Sequence, residues 1–181
     1  VASVDANFIP SFHANNIIVS IPGKSVPDST IIFTAHYDHL GMMGNAIFPG
    51  ANDNASGTAF MLALAKQISL QPLDYTVVFI FFAGEEAGLV GSSFYVSNPV
   101  YPLGNIRFLL NFDLMGNGEE GITVVNATVF ENEFKLLQEI NNKEQYLVAI
   151  NSRGKAQNSD HYFFTEKGVP SFFWYTLGKR K

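Results

Sequence analysis

Apolar stretches separated by turn residues divide the chain into alternating strand-like and helix-like segments. Residues 16–21, Asn-Ile-Ile-Val-Ser-Ile, read as a strand closed by Pro22-Gly23. A second strand is expected over 30–35, after the turn Pro27-Asp28-Ser29, and it runs straight into His36-Tyr37-Asp38-His39. Residues 41–50 read as a loop. Ser56-Gly57 opens a helix over 58–69, where Phe60, Leu62, Ala63, Leu64 and Ile68 spread beyond one stripe. Residues 75–82, Tyr-Thr-Val-Val-Phe-Ile-Phe-Phe, lack alternation, the pattern of a strand covered on both faces. A helix over 89–96 comes next, then strands over 106–113 and 121–129. An amphipathic helix over 131–142, a strand over 147–151, a helical turn over 160–167 and a last strand over 171–176 complete the series. Strands alternating with helices predict an α/β fold.

Three of the apolar strands end on acidic or histidine residues: His36 and Asp38, Glu85 and Glu86, and Asp113. In open α/β sheets ligands sit in the crevice beyond the carboxyl ends of the strands. The polar groups therefore gather where a site belongs.

Composition narrows the chemistry. The chain has 181 residues, no cysteine, 17 phenylalanines and only 15% charged residues, so it is expected to fold as one domain over 1–181. The lack of thiols excludes disulfides and thiolate metal sites. A balance of 11 basic against 16 acidic residues argues against a nucleic-acid footprint. No apolar run reaches the roughly 20 residues of a membrane-spanning helix. No leader pattern stands at Val1, so such a segment is expected to be absent or already removed.

His36 and Asp38 lie two apart in an extended segment and so face one side, where a carboxylate can orient an imidazole ligand. Taken alone, the pair reads first as a strand-end histidine beside an aspartate. Asp53, in Gly50-Ala-Asn-Asp-Asn-Ala-Ser-Gly57, is alone no more than a helix cap. Glu85-Glu86 is harder to explain structurally, because adjacent carboxylates at a buried strand end repel and are costly to desolvate. A metal would neutralise one and leave the other as a base. Together, His36, Asp53, Glu86, Asp113 and His161 give two imidazoles and three carboxylates, a donor set suited to zinc. If Asp53 bridges, one ion takes His36, Asp113 and Asp53, and the other Glu86, His161 and Asp53. Glu85 stays free as general base. His39 is near enough to support the site from outside the ligand set.

The segments His36-Tyr37-Asp38-His39-Leu40-Gly41, Gly50 to Gly57, Gly84-Glu85-Glu86, Asn111-Phe112-Asp113 and Ser159-Asp160-His161 resemble the zinc aminopeptidases of the M28 peptidase family. The resemblance covers roughly residues 16–175 and rests on five motifs in order. It implies a three-layer αβα sandwich with a mixed, mostly parallel sheet, of the phosphorylase/hydrolase-like type. It also implies two zinc ions per chain and removal of the N-terminal amino acid from peptides with a free N-terminus. By position, His36, Asp53, Glu86, Asp113 and His161 would be ligands, Glu85 the base, and Asp38 the residue that orients His36. A cis peptide bond at Asp53–Asn54 is a further implication, as is secretion or a periplasmic location. Family members usually carry more chain at both ends, so terminal elements of the fold and part of the pocket are expected to be missing here. Some members use a tyrosine to stabilise the oxyanion, and the motifs assign none in this chain, Tyr162 and Tyr175 being the candidates.

Two other functions share the fold. Glutaminyl-peptide cyclases use nearly the same ligands around one zinc, and some receptor ectodomains keep the architecture without the metal. Phe163, Phe164, Phe172 and Phe173 either line an apolar side-chain pocket or belong to the core.

Overall fold

In a computed structural model, residue 9 and residues 11–179 are described. One sheet of seven strands forms the middle layer, in the order β1-β5-β2-β6-β9-β7-β8. Its members are β1 (Ile17–Ile21), β2 (Val26–His36), β5 (Tyr75–Phe82), β6 (Ile106–Phe112), β7 (Gly121–Val125), β8 (Ile150–Ser152) and β9 (Ser171–Leu177). Strands β5, β2, β6 and β9 run parallel. Strand β1 lies antiparallel to β5 on one side, β7 lies antiparallel to β9 on the other, and β8 runs parallel to β7. A separate hairpin, β3 (Gly41–Met43) with β4 (Ala46–Phe48), stands in the segment expected to be a loop. Its three-residue strands are too short to show a period, and Met42, Met43 and Ile47 are exposed.

Helices cover both faces. Helix α1 (Gly57–Leu70) buries Met61 and Ile68, two turns apart, against Phe33, Val77, Phe79, Phe81 and Phe112. Helix α3 (Glu131–Glu144) packs Phe134 with Ile122, Val124 and Phe172. On the opposite face, α2 (Val90–Ser97) and α4 (His161–Glu166) contribute Tyr95, Val96 and Phe164 to a cluster with Ile32, Val78, Ile80 and Phe82. The result is the three-layer α/β sandwich that the family resemblance implied, within the α/β class that the alternation predicted. Strand β5 is buried along its length after Tyr75, which accounts for its unbroken apolar run.

Three strand boundaries differ from those expected. Strand β2 begins at Val26, because a register shift between Val26 and Thr30 absorbs Pro27. Strand β7 stops at Val125, where Asn126 turns the chain with φ of 69°. Strand β8 starts later than the apolar run suggested, at Ile150. Among the described residues no helix is long and apolar enough to cross a membrane.

Candidate metal centre

Strands β5 and β6 flank β2, so the segments leaving their carboxyl ends part around a crevice. His36 is the last residue of β2, Glu85 and Glu86 come after β5, and Asp113 comes directly after β6. Asp53 comes from the turn Ala51–Ser56 that leads into α1. The buried side chain of Asn54 ties that turn to β6. Its Nδ2 donates to the Phe112 carbonyl at 3.0 Å, and its Oδ1 accepts from the Gly57 N–H at 2.9 Å. Gly57 permits this close approach, since a Cβ there would strike the Phe112 carbonyl oxygen. The Asp53–Asn54 peptide bond is cis.

Three site residues meet around His36. Its Nε2 lies 3.1 Å from Oδ1 of Asp53 and 3.4 Å from Oδ1 of Asp113. On the other side of the ring, Nδ1 is 3.2 Å from the Asp38 carbonyl oxygen and 3.6 Å from Oδ1 of Asp38. The Asp38 carboxylate does more than face His36. It accepts from the N–H of Glu85 at 3.1 Å and from that of Glu86 at 3.2 Å, and so holds both glutamates by their backbone. Asp113 is held by a buried chain of hydrogen bonds. Thr34 Oγ1 donates to Asn111, Asn111 Nδ2 donates to Ser159 Oγ at 2.7 Å, and Ser159 Oγ donates to Oδ2 of Asp113.

Potential ligand atoms fall into two groups, each within 4.8 Å of one another: His36, Glu85 and Asp113, and His39, Asp53 and Glu86. His39 Nδ1 lies 2.6 Å from Oε1 of Glu86. His161 joins neither group. It begins α4, is fully buried, and sets its ring 5.4 Å from that of Phe173. Burial pulls its pKa down to about 4. The structure therefore brings together His36, Asp38, Asp53, Glu85, Glu86 and Asp113, adds His39, and leaves His161 outside. The link from His39 to Glu86 crosses between two strand ends, which spacing along the chain does not reveal.

The residues present fit a metal such as zinc. Nε2 of His36, Nδ1 of His39, Oε1 of Glu86 and Oδ1 of Asp113 are buried with one another or Asp53 as close polar neighbours and no well-aligned hydrogen bond, and both ring nitrogens of His161 likewise lack a partner. Buried polar atoms are rarely left this way, and four that converge call for a cation. Imidazole and carboxylate, with no thiolate, suit zinc and related divalent ions.

Electrostatics point the same way. Burial opposes charge on His36, but the carboxylates of Asp113 and Asp38 beside its ring and the charge of Glu85 hold its pKa up at about 11. Burial pushes Glu85 up to about 8, against the pull of His36 and with the help of Asp160, Asp113 and Glu86. Asp160 is fully buried beside Ser92, and burial lifts its carboxyl to about 7. In the sequence Asp160 is only the middle of the Ser159-Asp160-His161 motif; the packing of α4 is what buries it behind the site.

The model of peptidase family M28 matches residues 16–179. The chain belongs to peptidase family M28. Aminopeptidase YwaD of Bacillus subtilis is 32% identical over 169 residues, 89% of this chain and 36% of that protein. Leucine aminopeptidase 1 of Arthroderma gypseum is 30% identical over 184 residues, 92% of this chain and 48% of that protein. This M28 chain thus spans less than half the length of these relatives. Among solved structures, a zinc aminopeptidase from Bacillus subtilis superposes with a TM-score of 0.73 at 29% identity, over 88% of this chain and 39% of its own. An Acidobacteriales glutaminyl cyclase reaches a TM-score of 0.75 at 23% identity, over 92% of this chain and 60% of its own, which shows the shared fold alone.

Proposed function

We propose that this chain is the catalytic part of a zinc aminopeptidase that releases the N-terminal residue of a peptide by hydrolysis. The observation that carries the reading is the convergence of unsatisfied ligand atoms from His36, Asp113, His39 and Glu86 around Asp53, with Glu85 beside them. Membership of family M28 and the names of the relatives support it.

His36, Asp53 and Asp113 would hold one zinc, and Asp53 and Glu86 a second, with Asp53 shared. His39 has the stronger claim to be the imidazole beside Glu86, because His161 is tucked against Phe173. When bound, zinc supplies a Lewis acid that acidifies water and polarises a carbonyl. Glu85 takes the proton of the attacking water and delivers it to the leaving amine, a role suited to a carboxyl whose pKa is lifted toward neutrality. Asp38 keeps His36 in one tautomer and aims Glu85 through its backbone N–H.

The test is zinc per chain by mass spectrometry after dialysis against trace zinc, followed by assay with aminoacyl and glutaminyl substrates. Two ions and release of N-terminal residues uphold the proposal. One ion with cyclisation of an N-terminal glutamine would transfer the chain to the cyclase reading. Absence of bound zinc would overturn both.

A further inference from the structure

The cleft beside the candidate metal centre is lined by groups of opposite charge. A cavity of about 370 Å³ is lined by the carboxylates of Glu85, Asp113 and Asp53, by Arg153 and Tyr175, and by the apolar side chains of Leu114 and Phe173. Arg153 is the one cation among its described lining residues. It comes directly after β8, where its N–H donates to the Val124 carbonyl at 2.9 Å and anchors the start of the side chain. Strand β8 runs against the parallel block, yet the guanidinium reaches back to it, with Nη1 3.4 Å from the Tyr175 hydroxyl. Tyr175 is fixed in turn by its ring, 5.4 Å from that of Phe173. Nearby Lys155 is bound to Glu166, whereas no described carboxylate pairs with Arg153.

We propose that Arg153 and the Tyr175 hydroxyl form a carboxylate-binding subsite of the substrate cleft. The inference rests on the aminopeptidase reading of the same cleft. A free α-ammonium group suits the acidic lining residues, and a carboxylate elsewhere on the same substrate suits Arg153. A guanidinium and a neighbouring phenolic hydroxyl are apt donors to a carboxylate, each able to make a charge-assisted bond to it. The cavity is at the small end of ligand pockets, which fits an amino-acid residue or a dipeptide. That carboxylate comes either from the side chain of an N-terminal Asp or Glu or from the C-terminus of a dipeptide.

The zinc-loaded chain is assayed with Glu and Leu 4-nitroanilides, and with Leu-Gly and Leu-Gly amide, as wild type and as Arg153→Met, Arg153→Lys and Tyr175→Phe. Arg153→Met is expected to lower kcat/KM for carboxylate-bearing substrates about tenfold through KM, with the Leu anilide unchanged and partial recovery in Arg153→Lys. Tenfold is the low end for a charge-assisted bond, since Arg153 is exposed. A loss on the Glu anilide assigns the subsite to the side chain, and a loss on Leu-Gly but not its amide assigns it to the dipeptide terminus. Equal effects on every substrate, or none, overturn the proposal. If no substrate is cleaved, the aminopeptidase reading fails, and calorimetry still decides the subsite. Glutamate or Leu-Gly binding more tightly than glutamine or Leu-Gly amide, with the difference abolished in Arg153→Met, upholds it. Absence of such a difference in the wild type overturns it.

Discussion

The hydroxyl of Ser159 donates a 3.0 Å hydrogen bond to Oδ2 of Asp113 and leaves Oδ1 turned toward His36. One oxygen of the carboxylate is thereby spent on position and the other kept for chemistry. Ser159 is itself pinned by Asn111, and Asn111 by Thr34. Asp113 is set by a line of buried polar groups that runs from β2 through β6 to the start of α4.

Replacing Ser159 by Ala leaves the Asn111 amide and one Asp113 oxygen without partners. We expect a loss of about 1–3 kcal/mol in stability and a fall of roughly 10–100-fold in zinc affinity, the usual cost of removing a partner that orients a ligand. Chemical denaturation of the metal-free chain and zinc titration measure the two separately. Unchanged zinc affinity would show that Asp113 needs no such support.

Asp38→Asn tests a residue that touches three others. The amide keeps one acceptor for the backbone N–H groups of Glu85 and Glu86 but loses the charge that faces His36. Zinc should bind about 10–100-fold more weakly while the fold survives. Circular dichroism checks the fold, and competition with a chromophoric chelator reads the affinity.

Glu85→Gln should retain zinc and lose turnover, by on the order of 100–10,000-fold, as expected for a missing general base. Metal content and kcat are read on the same preparation. A variant with near wild-type kcat would remove Glu85 from the role of base. A variant that loses zinc would instead make it a ligand, consistent with its nearness to His36 and Asp113.

Asp160 gives a pH dependence whose sign is fixed. An ordinary Asp releases its proton near ~3.9, whereas burial holds the Asp160 proton in the folded chain up to about 7. Between these values the unfolded chain has lost the proton and the folded chain has kept it, so folding weakens as pH rises. The metal-free wild type should therefore lose stability relative to Asp160→Asn between about pH 4 and 7, by at most a few kcal/mol at ~1.4 per unit. Urea unfolding in EDTA at pH 4.5 and pH 8 measures the difference. A gap between the two proteins that does not change with pH would contradict burial of Asp160 as the cause.

Most of the sheet was legible because strand burial leaves a direct imprint on composition. The unbroken apolar run of β5 required cover on both faces, and Met61, Ile68, Tyr95 and Phe164 supply it. The hairpin of β3 and β4 left no imprint, since three-residue strands facing solvent need no apolar period. Of the four phenylalanines that suit either pocket or core, Phe164 and Phe172 went to the core. Phe173 alone among them lines the cleft, although it is just as buried. Period two on β9 gives adjacent residues opposite faces, and only the packing of α4 and β7 says which face meets the cleft.

By itself the sequence determined the α/β class and the gathering of His36, Asp38, Glu85, Glu86 and Asp113 at strand ends. Both come from local rules: apolar runs become buried strands, and the residues just past their carboxyl ends share a crevice. The tertiary structure decided which histidine stands beside Glu86, that Asp38 holds the glutamates through their N–H groups, and that Arg153 lines the same cleft as Glu85, Asp53 and Asp113. Those are contacts between segments tens of residues apart. Their geometry depends on strand order, register and helix packing, quantities that the spacing of residues along one chain does not encode.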